Sequence, residues 1–335
     1  MSVGDRSRPA PIPLIIDTDG GVDDAVALWF AATAPDVDLR AVTVVHGNVP
    51  VEVAAGNVCR VLEAAGRADV AVVVGADRPL GPVPTLRRAD FIHGTDGLGD
   101  TFRPPSSFAP IADASIEEVV AGVVASSPDV RLVTLGPLTN VALLARTTPE
   151  LIASFDRLVV MGGAVAVGGN ALPAAEANIA HDPVAAAEVV TAPWRRPPLL
   201  VGLDVTHRAT FTASEAEVFS RRGGSAARFL ADPLAFYARA AGTFCAPGEF
   251  PCHDALAVMA AVRTIVSGPV LPMAVQTEPG PAWAATVADR RVPFFERAGA
   301  GSQQASLAGF APWEIGLEVD VAAFRAALRT LAAHP

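Results

Sequence analysis

Lysine is absent from the 335 residues, so all 25 basic side chains are arginine. Neither a Schiff-base lysine nor the lysine of a phosphate-binding P-loop is available. Cysteine is scarce as well: Cys59, Cys245 and Cys252 are odd in number and form no C-x-x-C pair. That argues against a disulfide framework and fits three ordinary thiols in a reducing cytoplasm. Charge is thin, at 18% of residues with a balance of −10, and no cationic cluster stands out. Nucleic acid and anionic membrane surfaces are therefore not expected partners. One uncharged stretch, Leu158 to Ala175, is long enough to raise the question of a membrane span. Its four glycines, Asn170 and Pro173 would leave backbone groups unsatisfied in lipid, so it reads as a strand entering a glycine-rich loop.

Hydrophobic residues make up 51% of the chain, the composition of a folded, core-rich protein. Met1 to Pro11 carries Arg6, Arg8 and two prolines with no apolar segment after it, and reads as a flexible lead-in, not a signal peptide. From residue 12 to 335 no break forces a split, and a single α/β domain is expected, located in the cytoplasm.

Short β-branched runs alternate with alanine-rich helical stretches, the pattern of a mostly parallel open sheet flanked by helices. Strands are expected near 12–16, 39–45, 70–74, 130–135, 157–161 and 199–203, and helices near 24–34, 51–65, 116–126, 138–146 and 183–191. Ser115 with Glu118 is a capping-box start, and Asp182-Pro183 is an N-cap followed by proline at the first helical position. After residue 204 the chain reads as more helical, with helices near 213–222, 226–243 and 254–264, strands near 271–276, 283–288 and 314–318, and a final helix at 320–333. In open parallel sheets the binding crevice lies beyond the carboxyl ends of the strands. The polar clusters Asp17–Asp24, His46–Asn48, Gly136–Asn140, Gly162–Asn178 and Asp204–His207 all follow strands and so share one edge.

Asp17, Asp19, Asp23 and Asp24 fall within eight residues of one turn. Carboxylates that close repel one another unless some are protonated or splayed apart, and an all-oxygen ligand set suits a hard cation. A helix N-cap with an acidic first turn would account for Asp23 or Asp24 but not for four aspartates. An EF-hand loop fails because the twelfth position counted from Asp17 is Leu28. The start of the turn is also similar to the D-x-D-G of haloacid-dehalogenase-type phosphotransferases, where the first aspartate is the nucleophile. Gly21 and the missing downstream lysine depart from that pattern.

The fuller resemblance is to the inosine-uridine preferring nucleoside hydrolases, whose first strand runs into D-x-D-x-G-x-D-D-A-x-A-L, as Asp17 to Leu28 does here. Gly47-Asn48, His93 to Gly99, Leu135 to Asn140, Met161-Gly162-Gly163, Gly169-Asn170, Glu176-Ala177-Asn178, Gly202 to His207 and His253-Asp254-Ala255 follow in family order, over roughly residues 12 to 290. The resemblance implies the nucleoside hydrolase fold with its Rossmann-like core. It implies Ca²⁺-dependent hydrolysis of ribonucleosides to base and ribose through an oxocarbenium-like transition state, and a homodimer or homotetramer. Carried over position by position, it assigns metal ligation to Asp19, Asp24, Asp254 and the carbonyl of Leu135. Asp19 would also deprotonate the attacking water, and His253 would donate a proton to the departing base. Asp23 would bind the 2′-hydroxyl, Asn178 with Asp254 the 3′-hydroxyl, and Asn170 and Glu176 the 5′-hydroxyl. Asn48 would lie near the diol, and Asp17 would steady the turn. Met161 would pack beneath the sugar, although core packing explains a lone methionine equally well. His93 would border the base pocket; Tyr237, the one tyrosine, would bind the base or simply pack.

Ala177, Ala241 and Cys245 stand where relatives carry bulkier groups around the base, and Gly20 replaces a common proline. The sugar half of the site is complete while the base half lacks bulk, and the sequence does not name the base. A ribonucleoside-binding protein of weak activity would keep the same metal cup, but binding alone needs neither Asp19 as a base nor His253 as an acid.

Overall fold

The computed structural model describes residues 10–86, 89–212, 214–217, 224–241, 248–291 and 309–332. Six parallel strands, β1 (Ile12–Thr18), β2 (Val37–Val44), β3 (Ala71–Val74), β4 (Arg131–Thr134), β5 (Arg157–Met161) and β6 (Leu199–Val201), lie in the order β3-β2-β1-β4-β5-β6. This is the doubly wound order, in which chain direction across the sheet reverses between β1 and β4 and leaves a crevice at their carboxyl ends. The small strands β7 (Thr210–Thr212) and β8 (Glu249–Pro251) pair apart from the sheet, as does β9 (Val266–Ser267) with a late strand. The main sheet is extended beyond β6 by β12 (Ala311–Ile315), β10 (Val270–Val275) and β11 (Thr286–Ala288), the last two antiparallel to their neighbours, and β13 (Glu318–Val319) is the partner of β9.

Side chains alternate between two buried layers, which is why the strands read as continuous apolar runs. In β1, Leu14 and Ile16 join one core and Ile15 the other. The first core is covered by α1 (Val22–Thr33) and α2 (Val51–Ala64) and, from later in the chain, by helices over Ser225–Ala241, His253–Val262 and Val321–Ala332. Between these lie α3 (Asp90–His93), α4 (Ile116–Ser126), α5 (Thr139–Thr147), α6 (Pro149–Ser154), α7 (Ala177–His181), α8 (Pro183–Thr191) and α9 (Leu203–Thr206), so the three late helices are α10, α11 and α12. Helices α4, α5, α6 and α8 cover the second core. The expected caps form: Ser115 Oγ accepts from Glu118 N at 3.1 Å, and Asp182 Oδ1 accepts from Ala185 N at 3.0 Å. No helix among the described residues is long and apolar enough to cross a membrane.

Three expectations need correction. The sixth strand stops at Val201 and not at residue 203, because Leu203–Thr206 turn into α9. The strand expected at 314–318 is β12, starting at Ala311; Pro312, which reads as a breaker, sits opposite Pro272 of β10, so two residues without N–H groups face each other. The strand expected at 283–288 begins at Thr286, since residues 281–284 form a turn in which buried Ala284 has φ +63°. Of the helix expected at 213–222, residues 214–217 are helical and 213 and 218–222 lie outside the described residues, as do Cys245, His334 and residues 1–9. Cys59 and Cys252 are buried free thiols.

Phe324 of α12 is wholly buried in the first core. Phe324→Ala should cost about 3–5 kcal/mol in denaturant unfolding while leaving turnover per folded molecule intact. A loss below about 1 kcal/mol would mean that α12 is not part of this core.

Candidate active site

β1 ends in Asp17 and Thr18, and α1 opens with Val22, Asp23 and Asp24 in its first turn. The connection is tight because Gly20 takes φ +73° and lies against α2, where a Cβ would come within 2.6 Å of Ala54 Cα. At the end of β2 the backbone presses equally closely on Asp19: a Cβ on Gly47 would lie 2.0 Å from Asp19 Oδ2. Asn48 then grips both oxygens of Asp19, with its N–H donating to Oδ2 at 2.8 Å and its Nδ2 to Oδ1 at 2.9 Å.

α11 points its first turn at the same place. Asp23, Asp24 and Asp254 each bring an oxygen within 4.8 Å of the others. Asp24 is the hub: its charge bears on Asp19, Asp23 and Asp254, and it is held by the Thr18 hydroxyl and by Gly21 N–H at 2.8 Å. Asp17 lies just behind: its Oδ1 accepts from the Thr43 hydroxyl and from Asn140 Nδ2 at 2.7 Å. Two helix N-termini thus converge on the cluster, and their partial positive charge is its main built-in compensation.

That compensation is insufficient. Burial, joined by the charge of Asp24, pushes Asp17 up to about 7 and Asp23 up to about 8, and drives Asp19 and Asp254 well above the usual carboxylate range. Among the described residues no arginine pairs with any of the five, and the buried Asp23 Oδ1 and Asp17 Oδ2 lack hydrogen-bond partners. An all-oxygen, acidic, buried donor set with an orphaned carboxylate oxygen fits a hard divalent cation.

His93 Nδ1 accepts from Val22 N–H at 3.1 Å, so that nitrogen carries no proton. Burial also lowers His93 to about 4; its 3.8 Å approach to Asp23 Oδ1 is therefore a contact with a neutral ring and not an ion pair. Tyr237 is buried beneath it, ring centroids 5.6 Å apart, and hydrogen-bonds to Asp23. It reaches the site through His93 and Asp23. His253, beside Asp254, is partly exposed, with Nδ1 2.8 Å from Thr206 Oγ1 and its ring 5.9 Å from that of exposed His207. Burial, helped by His207, lowers His253 to about 3, so it rests neutral.

Opposite the aspartates, Asn178 Nδ2 donates to Leu135 O at 2.7 Å and to Met161 O at 3.1 Å, leaving Oδ1 without a partner among the described residues. The Leu135 carbonyl keeps a second lone pair. Buried Glu176 is the N-cap of α7 and accepts from Ile179 N at 3.2 Å and Gly163 N at 3.0 Å, while exposed Asn170 accepts from Ala177 N at 3.0 Å. Both carboxyl and amide are thus engaged with the 163–179 loop. The sequence reading gave no role to Thr18, Thr43, Asn140 or Thr206, although Thr18 lies inside the aspartate motif and Asn140 inside a quoted segment. A buried polar residue at a strand end was the available signal.

The raised carboxyls fix a sign. Between the unfolded value of 3.8 and folded values of about 7 to 8, the folded state of the metal-free protein binds protons that the unfolded state has released. Stability must then fall as pH rises through that window. Thermal unfolding in EDTA should show a midpoint that drops from pH 5 to pH 8, and added divalent cation should raise the midpoint more at pH 8 than at pH 5. A midpoint that rises with pH in EDTA would contradict the charge arrangement.

Residues 14–326 match the family model described as inosine-uridine preferring nucleoside hydrolase. The chain is 39% identical over 237 residues, 71% of either protein, to "Probable uridine nucleosidase 2" of Arabidopsis thaliana. It is 41% identical over 226 residues, 68% of this chain and 71% of the relative, to "Pyrimidine-specific ribonucleoside hydrolase RihA" of Salmonella agona. Among solved structures, a plant nucleoside hydrolase, the PpNRh1 enzyme, superposes with a TM-score of 0.87 at 31% identity, covering 97% of this chain and all of the other.

Proposed function

The chain belongs to the inosine-uridine preferring nucleoside hydrolase family and is a hydrolase of ribonucleosides; from that premise we propose that its turnover depends on Ca²⁺ and that pyrimidine ribonucleosides, uridine foremost, are its preferred substrates. The observation that carries the metal reading is the buried cluster of Asp23, Asp24 and Asp254 with Asp19 against it. The base preference rests on the two relatives near 40% identity, whose names specify uridine and pyrimidine substrates. Residues 12–335 would form one catalytic domain, working in the cytoplasm as a homodimer or homotetramer.

Asp19, Asp24, Asp254 and the Leu135 carbonyl would hold the ion. Bound there, Ca²⁺ would supply a template for the ribose diol and would lower the pKa of an attacking water. Asp19 accepts that water's proton: its position, fixed by two hydrogen bonds from Asn48, suits a general base. Asp23, with an unpartnered Oδ1, accepts the 2′-hydroxyl, and Asn178 Oδ1 the 3′-hydroxyl. Asn170 and Glu176 border the 5′-hydroxyl, Asn48 the diol and Met161 the underside of the sugar. His93 borders the base, and Tyr237 backs His93. Negative charge grows on the departing pyrimidine, whose proton affinity rises as the bond breaks, and the N–H of a neutral His253 donates to it.

Incubation with uridine, cytidine, inosine and adenosine, with and without EDTA, tests this by released ribose. Uridine should be cleaved fastest, EDTA should abolish release and Ca²⁺ should restore it; phosphate release from a phosphoester without ribose from any nucleoside would overturn the reading. Asp19→Ala should lower kcat by about 10²–10⁴-fold. His253→Ala should slow uridine while sparing a nitrophenyl riboside, whose leaving group needs no proton, and equal losses on both would remove His253 from the proton-donor role.

A further inference from the structure

Asn57 is a polar side chain on the inner face of α2, 2% exposed and one turn beyond Ala54, the residue against which Gly20 packs. Its amide protons are divided between two segments. Nδ2 donates to Gly20 O at 3.0 Å and to Asp96 O at 2.8 Å, while Oδ1 accepts from Arg60 Nη1 at 3.0 Å. Among the described residues neither carbonyl has another partner. The first belongs to the turn that carries Asp19, Asp23 and Asp24; the second belongs to the loop that leaves His93.

That loop is rigid in its own right. The Asp96 carboxylate accepts from Leu98, Asp100 and Phe102 N–H at 2.8, 2.9 and 2.7 Å, which makes residues 96–102 one unit. Gly97, at φ +76°, lets the unit seat on Asn57, where a Cβ would come within 2.7 Å of Nδ2. At its other end His93 accepts from Val22 N–H, so the loop and the aspartate turn meet twice, once through His93 and once through Asn57.

We propose that Asn57 is a positioning residue for nucleoside hydrolysis: it fixes the spacing between the aspartate turn and the His93 loop, and through Gly20 the placement of Asp19 relative to Asp23 and Asp24, without touching substrate. This rests on the reading of the site given above. Displacing reacting groups by about 1 Å can slow an enzyme about 10²-fold, so a buried amide at this node has leverage on rate out of proportion to its share of the fold.

Asn57→Asp keeps the shape and the oxygen facing Arg60 but sets a second oxygen against two carbonyls. Gly97→Ala strains the same contact from the loop side. For both, kcat on uridine should fall about 10²-fold with KM moving far less, and the Ca²⁺ Kd by calorimetry should rise about tenfold. Hydrogen exchange should accelerate together in peptides covering 14–25 and 90–104. Val58→Ala, a buried neighbour on the same helix that makes none of these contacts, is the control: it should lower the thermal midpoint but leave kcat, Kd and exchange in those peptides near wild type. Asn57→Asp and Gly97→Ala that behave like Val58→Ala would overturn the proposal. Should the wild type cleave no nucleoside, the functional reading fails, and joint or independent exchange in the two peptides still decides whether Asn57 couples them. If Asn57→Asp does not fold, Gly97→Ala decides alone.

Discussion

The structure depends on a repulsion that the protein does not neutralise by itself. Asp17, Asp19, Asp23, Asp24 and Asp254 are each no more than 4% exposed, and burial raises four of them far above the usual carboxylate range. Lifting a single carboxyl from 3.8 to about 7, as for Asp17, corresponds to roughly 4 kcal/mol at neutral pH. A whole domain is stable by only about 5–15 kcal/mol, so a cluster of this kind persists only with protons or a cation on it. The doubly wound sheet sets the cluster at the carboxyl ends of β1 and β4, where the reversal of strand order leaves room for a ligand.

Around that core the supporting contacts run outward in order. Thr18, Gly21 and Asn48 orient individual carboxylates, Thr43 and Asn140 steady Asp17, and the N-termini of α1 and α11 lend partial positive charge. Asn178 ties the backbone carbonyls of Leu135 and Met161 together on the other wall. Neutral His93 lies against Asp23, and neutral His253 stands beside Asp254.

The parallel half of the fold was legible because each strand is buried on both faces and shows as an unbroken apolar run; four of its six strands end within one residue of expectation. The late strands were harder. Pro312 hid the start of β12, and nothing in Pro281–Ala284 announced a turn with a non-glycine residue at positive φ. The aspartates, Asn178 and the His253-Asp254 pair were legible as residue types in family order. Their partners were not, since Asn140 and Asn57 act by reaching carbonyls or carboxylates 37 to 123 residues away in sequence, and local pattern carries no record of such contacts. Glu176 shows the same limit: its position was legible, but its engagement with the backbone of its own loop was not.

The central claim is that the buried carboxylates hold protons until a divalent cation replaces them. Calorimetric titration of Ca²⁺ into the metal-free protein at pH 7, repeated in two buffers of different ionisation enthalpy, measures that exchange directly. About one or more protons should be released per ion bound, with fewer released as pH rises past about 7 to 8, where Asp17 and Asp23 ionise on their own. Stoichiometric Ca²⁺ binding with no proton release at pH 7, or no binding at all, would contradict it.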